Sequence, residues 1–204
     1  MKVTCLQENL ARGLQIAGRG VSTRTTLPIL SNVLLRTEGG RLKLTATNLE
    51  VGINCWVPAK VEDEGAITVP AKLFTDFVNA LPPGPIDLSL NVRTKTIHIK
   101  SGPYEANMRG LDAEDFPIIP VIAERPTTRI AQSVLRRMIN EVAFVAATDD
   151  SRPVLTGVLT TFDGEGIVMA AADPYRLSVR NGPLLDRIAE KVEVIIPAKS
   201  LFEV

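Results

Sequence analysis

The residues able to do acid–base, nucleophilic or metal chemistry are few, and their spacing works against them. The single histidine, His98, lies between Ile97 and Ile99 in an alternating stretch, which turns its side chain away from the apolar face. A Ser-His-Asp or Cys-His scheme needs such a base beside its nucleophile, and there is no second histidine to serve. Cys5 and Cys55 lack the CxxC spacing of a zinc or redox site and are too few for a disulfide framework. The carboxylate runs Glu62-Asp63-Glu64 and Asp149-Asp150 read as surface charge, because neighbouring carboxylates on an extended chain point apart rather than converging on a metal. Gly18-Arg19-Gly20 lacks the GxxxxGK[ST] pattern of a phosphate loop. The expectation is a protein with no catalytic residue, no metal and no cofactor.

The cations are arranged more informatively. Leu6, Leu10, Leu14 and Ala17 form one stripe of a helix predicted over 7–18, which leaves Arg12, Gln15 and Arg19 on the opposite face. In a second helix, over 72–81, Leu73, Phe74, Phe77, Val78 and Leu81 are the buried set, with Lys72 and Asn79 outside. In a third, Val134, Leu135, Met138, Ile139 and Val142 bury, leaving Arg136 and Asn140 exposed and Arg137 flanking. The acidic runs 62–64 and 112–115 are expected in loops. One such helix is an ordinary solvated face; three with like-signed faces make a surface that tracks phosphates without reading bases. Arg24, between Thr23, Thr25 and Thr26, is either a generic loop arginine or a further phosphate donor.

The elements carrying these residues occur twice. Shifted by 125 residues, Pro28-Ile29-Leu30 falls on Pro153-Val154-Leu155, Val33-Leu34 on Val158-Leu159, Glu38-Gly39 on Asp163-Gly164 and Asn48 on Asp173. Leu10, Leu14 and Ala17 land on Leu135, Ile139 and Val142. Val69-Pro70-Ala71-Lys72 recurs as Ile196-Pro197-Ala198-Lys199 at a shift of 127, so two residues were inserted between the blocks. The stretch 112–128 holds three prolines and little periodicity and reads as the connector. Two domains are expected, over 1–120 and 121–204. A second copy as long as the first would run to about residue 245, so it is expected to be incomplete.

Within the first copy the pattern predicts strands over 2–5, 29–37, 41–47 and 49–57, the last with Val51, Ile53, Cys55 and Val57 on one face. After Pro58 come strand 67–69, the second helix, and strands 86–92, 96–100 and 104–109. This is βαβββ performed twice. Ile86, Leu88, Leu90 and Val92 alternate, so the sheets bury one face, and two helices must cover it: an α+β layered fold with helices packed on antiparallel sheets.

Composition agrees and excludes several classes. The 204 residues, 45% hydrophobic, can bury real cores. Lys+Arg and Asp+Glu both number 23, so no global field attracts a polyanion and any nucleic-acid contact must come from local clustering. No run of about 18 apolar residues and no signal h-region appears, which with two free cysteines points to a reducing cytoplasm and away from membranes.

The motifs TLPILSNVLL, LTATNLEVGI, ITVPAKLF, RGLDAEDFP and ADPYRLSV, in this order, resemble the bacterial DNA polymerase III β subunit family over all 204 residues. The resemblance implies a DNA-clamp fold: protomers of three like domains, closed head to tail as a homodimer around duplex DNA, helices inside and sheets outside. It implies sequence-independent contact with double-stranded DNA, no activity of its own, and processive replication with the polymerase α subunit, the clamp loader and repair proteins as partners. The family's DNA contacts match Arg24 and Lys72, joined by Arg12, Arg19 and Arg136 on the helix faces and Lys199, the repeat counterpart of Lys72. Where the family's second-domain loop can carry glutamine and paired tyrosines, this sequence has Asp149, Pro153 and Val154, leaving Arg152 as the donor there. The family's partner-peptide pocket matches Leu155, Ala172, Pro174, Tyr175, Arg176 and Leu177, with its remainder in a third domain. Leu155 and Leu177 would supply the floor, Tyr175 a lid and Arg176 a donor. Ring closure in the family joins the first domain to the third, so the 204 residues alone are expected not to close a ring. Two other classes stay open: an enzyme built from a duplicated unit, which would need convergent titratable groups, and a peptide-binding adaptor using Tyr175 and Leu177 without DNA.

Overall fold

The computed structural model describes residues 1–22, 27–120, 127–149 and 151–204. The chain forms two compact units, Met1–Pro120 and Val121–Val204. In the first, β1 (Lys2–Leu6) runs directly into α1 (Gln7–Ala17), followed by β2 (Asn32–Glu38), β3 (Arg41–Thr47), β4 (Gly52–Val57) and β5 (Ala59–Asp63). The scheme then restarts with β6 (Ala66–Pro70), α2 (Ala71–Ala80), β7 (Pro85–Asn91), β8 (Thr96–Ser101) and β9 (Tyr104–Arg109). Two wholly antiparallel sheets result, ordered β5-β1-β7-β8-β9 and β4-β3-β2-β6. Helix α1 packs on β3 and β4, α2 on β2 and β6, and the helices pack on each other.

The core follows from alternation on the strands and the apolar stripes of the helices. Val3, Cys5, Ile86, Leu88, Ile97 and Ile99 from one sheet meet Val33, Leu35, Leu42, Leu44, Val57 and Val69 from the other, with Leu10, Leu14, Phe74 and Val78 from the helices. Each such side chain contributes roughly 1.5–3 kcal/mol of transfer free energy.

The predicted βαβββ scheme is present with one strand added. β5 escapes a periodicity search because Pro58, which cannot donate to a ladder, interrupts what is nearly one strand. β4 pairs with β3 in one sheet, and beyond the proline β5 pairs with β1 in the other. Glu62 and Asp63, expected in a loop, therefore end a strand, with Glu62 holding Lys2 at 2.7 Å.

Other expectations are corrected by element boundaries. Ile29 and Leu30 lie in a 3-10 turn, Pro28–Ser31, rather than in a strand. Leu6 is 54% exposed: it is the last residue of β1, on the face opposite Val3 and Cys5. Gln7 takes the buried place at the start of α1, its Nε2 donating to the Val78 carbonyl at 2.9 Å. Leu73 is also exposed, since Ala71, Phe74 and Val78 define the buried stripe of α2, and Val92 lies past the end of β7 where alternation stops.

The second unit comprises α3 (Gln132–Val142), β10 (Gly157–Asp163), β11 (Gly166–Ala172), β12 (Leu177–Pro183), β13 (Val192–Pro197) and α4 (Ala198–Phe202), with sheet order β12-β11-β10-β13. The repeat is kept in detail. Leu34 pairs with Thr45 as Leu159 with Ala170, Thr47 with Gly52 as Ala172 with Leu177, and Asn32 with Pro70 as Gly157 with Pro197. The stretch 127–131, which the same shift aligns with β1, is not a strand. β1 has a neighbour on each side, β5 and β7; the aligned stretch has no strand partner among the described residues and is held by the Leu185 N–H to the Arg129 carbonyl at 2.8 Å, by Thr128 Oγ1 to the Asp186 carbonyl at 2.7 Å and by an ion pair between Arg129 and Asp186. No helix among the described residues is long and apolar enough to cross a membrane.

Candidate functional site

The helices hold the basic residues where the stripes predict. Arg12 on α1, Arg19 in the 3-10 turn Gly18–Gly20, Lys72 on α2, Arg136 on α3 and Lys199 on α4 are all exposed. Arg152 is exposed just before the 3-10 turn Pro153–Thr156. Arg24 lies outside the described residues. Among the described residues, Arg12, Lys72, Arg136, Arg137 and Lys199 make no ion pair, whereas Lys2, Lys43, Lys95, Lys100, Arg129 and Arg180 each hold a carboxylate. Lys72 stands in the first turn of α2, where the helix dipole disfavours a cation by about 0.3–1 kcal/mol. The faces are mixed rather than purely basic, since Glu8, Asp76 and Glu141 are exposed too, Glu141 being engaged by Arg180 at 3.0 Å.

The structure adds a residue that the sequence stripe left in a flanking role. α1 and α3 begin and end 125 residues apart, so Arg137 is the counterpart of Arg12, as Lys199 is of Lys72. Each unit thus presents an arginine at the same position of its first helix and a lysine at the start of its second. Mapping the 125-residue shift onto single positions, rather than onto stripes, would have found this.

The second surface is the turn between β11 and β12. Asp173 Oδ1 accepts the backbone N–H groups of Tyr175 at 2.8 Å and Arg176 at 2.7 Å, and the Asp173 N–H donates to the Arg176 carbonyl at 2.9 Å. Arg176 closes back on Asp173 Oδ2 through Nε at 3.0 Å and Nη2 at 2.8 Å, leaving Nη1 for another acceptor. That hydrogen bond, with the Tyr175 N–H, holds the Asp173 carboxyl below the usual carboxylate range. Around this braced turn Tyr175 is 93% and Leu177 70% exposed, Pro174 is exposed, and Ala172, which pairs with Leu177, and Leu155 are half-buried. Tyr175, expected as a lid, stands in solvent. Val154, Leu159 and Val179 are exposed apolar residues that sequence reasoning did not single out; Val179 and Leu159 share the sheet face of Leu177.

Within the second unit, the helix α3 and the exposed apolar residues of β12 lie on opposite sides of one sheet. α3 covers the face carrying Met169, Ala171, Ser178 and Gly182, with Ser178 Oγ donating to the Glu141 carbonyl at 2.7 Å, while Leu177 and Val179 alternate to the other face. A helix side carrying exposed cations and an apolar sheet face are thereby separated by one layer.

His98 Nδ1 meets Asn107 Oδ1 at 3.0 Å on the outer face of its sheet, and no group of three metal-ligating side chains occurs among the described residues.

The family model described as DNA polymerase III beta subunit, N-terminal domain, matches residues 1–120, and that of the central domain matches residues 129–204. The beta sliding clamp of Synechocystis sp. is 38% identical over 192 residues, covering 90% of this chain and 49% of the relative; that of Bacillus subtilis is 30% identical over 211 residues, covering 100% and 56%. The crystal structure of the Bacillus subtilis DNA polymerase sliding clamp superposes with a TM-score of 0.91 at 29% identity, covering 100% of this chain and 55% of that one. The Pseudomonas aeruginosa DNA polymerase III subunit beta gives 0.83 at 34%, with the same coverage. The chain spans about half the length of the relatives it matches.

Proposed function

The chain belongs to the DNA polymerase III β subunit family, and from that premise we propose that it supplies the first domain and part of the second of a processivity clamp. In this reading the helix faces of both units follow the phosphates of duplex DNA without reading sequence, and the outer face of the second unit holds partner proteins by a short peptide. The clamp tethers a polymerase topologically and lends it no chemistry. The complete protomer pairs head to tail into a ring, and the chain's partners are double-stranded DNA, the polymerase α subunit and the clamp loader.

The observation that carries this reading is the recurrence of unpaired, exposed cations at matching places in both repeats, Arg12 with Arg137 and Lys72 with Lys199. An isolated basic residue is ordinary surface; a pattern repeated with the fold fits a polyanion of regular spacing. Arg19, Arg24, Arg136 and Arg152 are proposed to extend that surface, and Leu155, Ala172, Pro174, Tyr175, Arg176 and Leu177 to form the second domain's share of the peptide pocket.

Retention on circular against linearised duplex, measured with a full-length protomer carrying these residues, tests the tethering. A clamp stays on the circle and runs off the cut molecule. A second reading, a peptide-binding adaptor without DNA, is favoured by the exposure of Tyr175 and Leu177 on a braced turn; it predicts no retention on either form while peptide binding persists.

A further inference from the structure

The first unit contains the same turn and the same 3-10 segment as the proposed peptide surface of the second. Asn48 Oδ1 accepts the N–H groups of Glu50 at 3.0 Å and Val51 at 2.8 Å, as Asp173 does for Tyr175 and Arg176. Ser31 Oγ donates to the Pro28 carbonyl as Thr156 Oγ1 does to that of Pro153, and Leu30 and Leu155 occupy corresponding places. The counterpart of Leu177 is Gly52.

In the first unit this surface is partly covered: Leu49, Glu50 and Gly52 stay exposed, while Ile29, Leu30 and Leu34 are buried. Phe116, buried, packs with Ile29, Leu30 and Leu34, whose counterparts Val154 and Leu159 are exposed. Ile119 lies over Gly52 so closely that a Cβ added there would stand 2.9 Å from Ile119 Cδ1 and 3.0 Å from Cγ2. Gly52 does not have the positive φ that would demand glycine, so the approach of Ile119 is what its missing side chain serves. The covering segment has the form of a bound extended peptide: Pro117 and Pro120 restrict its backbone, Ile119 turns inward, and Ile118 is 94% exposed.

We infer that the first unit carries a latent second copy of the peptide-binding surface, closed in cis by Ile119. The copy fits an extended peptide offering an aromatic side chain and, three residues on, a branched aliphatic one followed by proline, because Phe116, Ile119 and Pro120 are what occupies it. A tethered segment acts at an effective concentration in the millimolar range, enough to exclude a free peptide of modest affinity. The second unit, where Leu177 replaces Gly52, is left as the open copy. This inference rests on the proposed peptide-binding role of the Leu177 surface.

The test uses the 204-residue chain with Leu177→Asp in every arm, so that the second unit's surface is disabled. The probe is a fluorescein-labelled synthetic peptide copying residues 114–120, titrated by fluorescence polarisation. Adding Ile119→Ser opens the copy and is expected to tighten binding by roughly tenfold or more over Leu177→Asp alone. Gly52→Ala, which displaces Ile119 without removing it, gives the same direction and serves if Ile119→Ser perturbs folding. A peptide with serine in place of its second isoleucine loses the gain. Equal affinity for all variants that keep the circular dichroism spectrum and melting profile of Leu177→Asp overturns the inference. Such a failure leaves the Leu177 surface untouched, whereas failure of a polymerase-derived peptide to bind a full-length protomer removes the Leu177 reading and not this result.

Discussion

Gly13 on α1 lies so close to Val57 on β4 that a Cβ added to it would stand 2.6 Å from Val57 Cγ2, and in the second unit the contact is made in reverse, by Met138 on α3 against Gly182 on β12. The positions correspond under the repeat, so one copy places the small residue on the helix and the other on the strand.

Gly13→Ala should therefore destabilise. Replacing a helical glycine gains up to about 1 kcal/mol of propensity, but overpacking against a buried, β-branched valine costs about 1–3 kcal/mol. Gly182→Ala meets the flexible Met138 thioether and should be nearly neutral. Adding Val57→Gly to Gly13→Met should recover stability relative to Gly13→Met alone. Urea unfolding of the single and double variants measures the coupling, and simple additivity would show that the two positions do not share one space.

Much of this was legible in the residues, and the misses have physical causes. The α1 and α3 stripes, the hairpins and the 125-residue shift are short-range patterns, and they located Arg12, Lys72, Arg136 and Lys199 on exposed helix positions. β5 was hidden because Pro58 breaks the period where one strand passes between two sheets. The packing of Phe116 and Ile119 was hidden because a proline-rich stretch has no period, and only tertiary contact reveals what it covers. Leu73 was misread because a helix start carries apolar residues on more than one face. Arg176 was read as a free donor because sequence does not show that Asp173 already holds it.

The two cysteines should differ in reactivity. Burial, with Asp87 adding to it, pushes the Cys5 thiol up to about 12, and burial also raises that of half-buried Cys55, opposed by the Arg12 guanidinium. At pH 8 iodoacetamide should modify Cys55 slowly and Cys5 only after unfolding. Arg12→Ala, which removes the opposing charge, should slow Cys55 further. Mass spectrometry of timed samples checks both, and prompt labelling of Cys5 in the folded chain would contradict its burial.

On DNA, Arg12→Ala with Lys72→Ala in a full-length protomer should weaken binding alike for all sequences, because phosphate contacts position without specifying. Each lost contact should lower the slope of log affinity against log salt by roughly one unit, and the pair Arg137→Ala with Lys199→Ala should act similarly. Fluorescence anisotropy at several salt concentrations measures it. An unchanged slope for both pairs would take the helix faces out of contact with DNA.

The braced turn should loosen in acid. Asp173 has a folded-state pKa below its ordinary 3.8, principally through Arg176 and then through the Tyr175 N–H. A depressed value means that the ionised form is favoured by folding. The stabilisation is present above pH 3.8 and is lost as pH falls through the lower folded value. The amide resonances of Tyr175 and Arg176 should therefore stay flat from pH 8 to about 4 and titrate together below that. In Asp173→Asn the common titration should vanish. A midpoint at or above the ordinary carboxylate value would mean that the ion pair does not hold the turn.

The outer face of the second unit offers the most direct measurement, because Leu177 is both a largely exposed leucine at the start of β12 and the residue that replaces Gly52. Truncating a central anchor of a peptide interface commonly costs about 2 kcal/mol or more, which is roughly thirtyfold in affinity. Leu177→Ala in a full-length protomer should weaken a polymerase-derived peptide by that amount. Being 70% exposed, the side chain contributes little to the core, so the variant should keep its circular dichroism spectrum and melting temperature, and any loss of binding then belongs to the contact. Arg176→Ala probes the polar side and should cost less, since two of the five guanidinium N–H groups already serve Asp173. Tyr175→Ala separates two roles for the exposed ring. If the ring folds over the bound peptide, its loss should mainly raise the dissociation rate, as expected of a group that engages after encounter. If folded Leu177→Ala, Tyr175→Ala and Arg176→Ala proteins all bound the peptide as tightly as the unmutated protomer, this face would not be the docking surface.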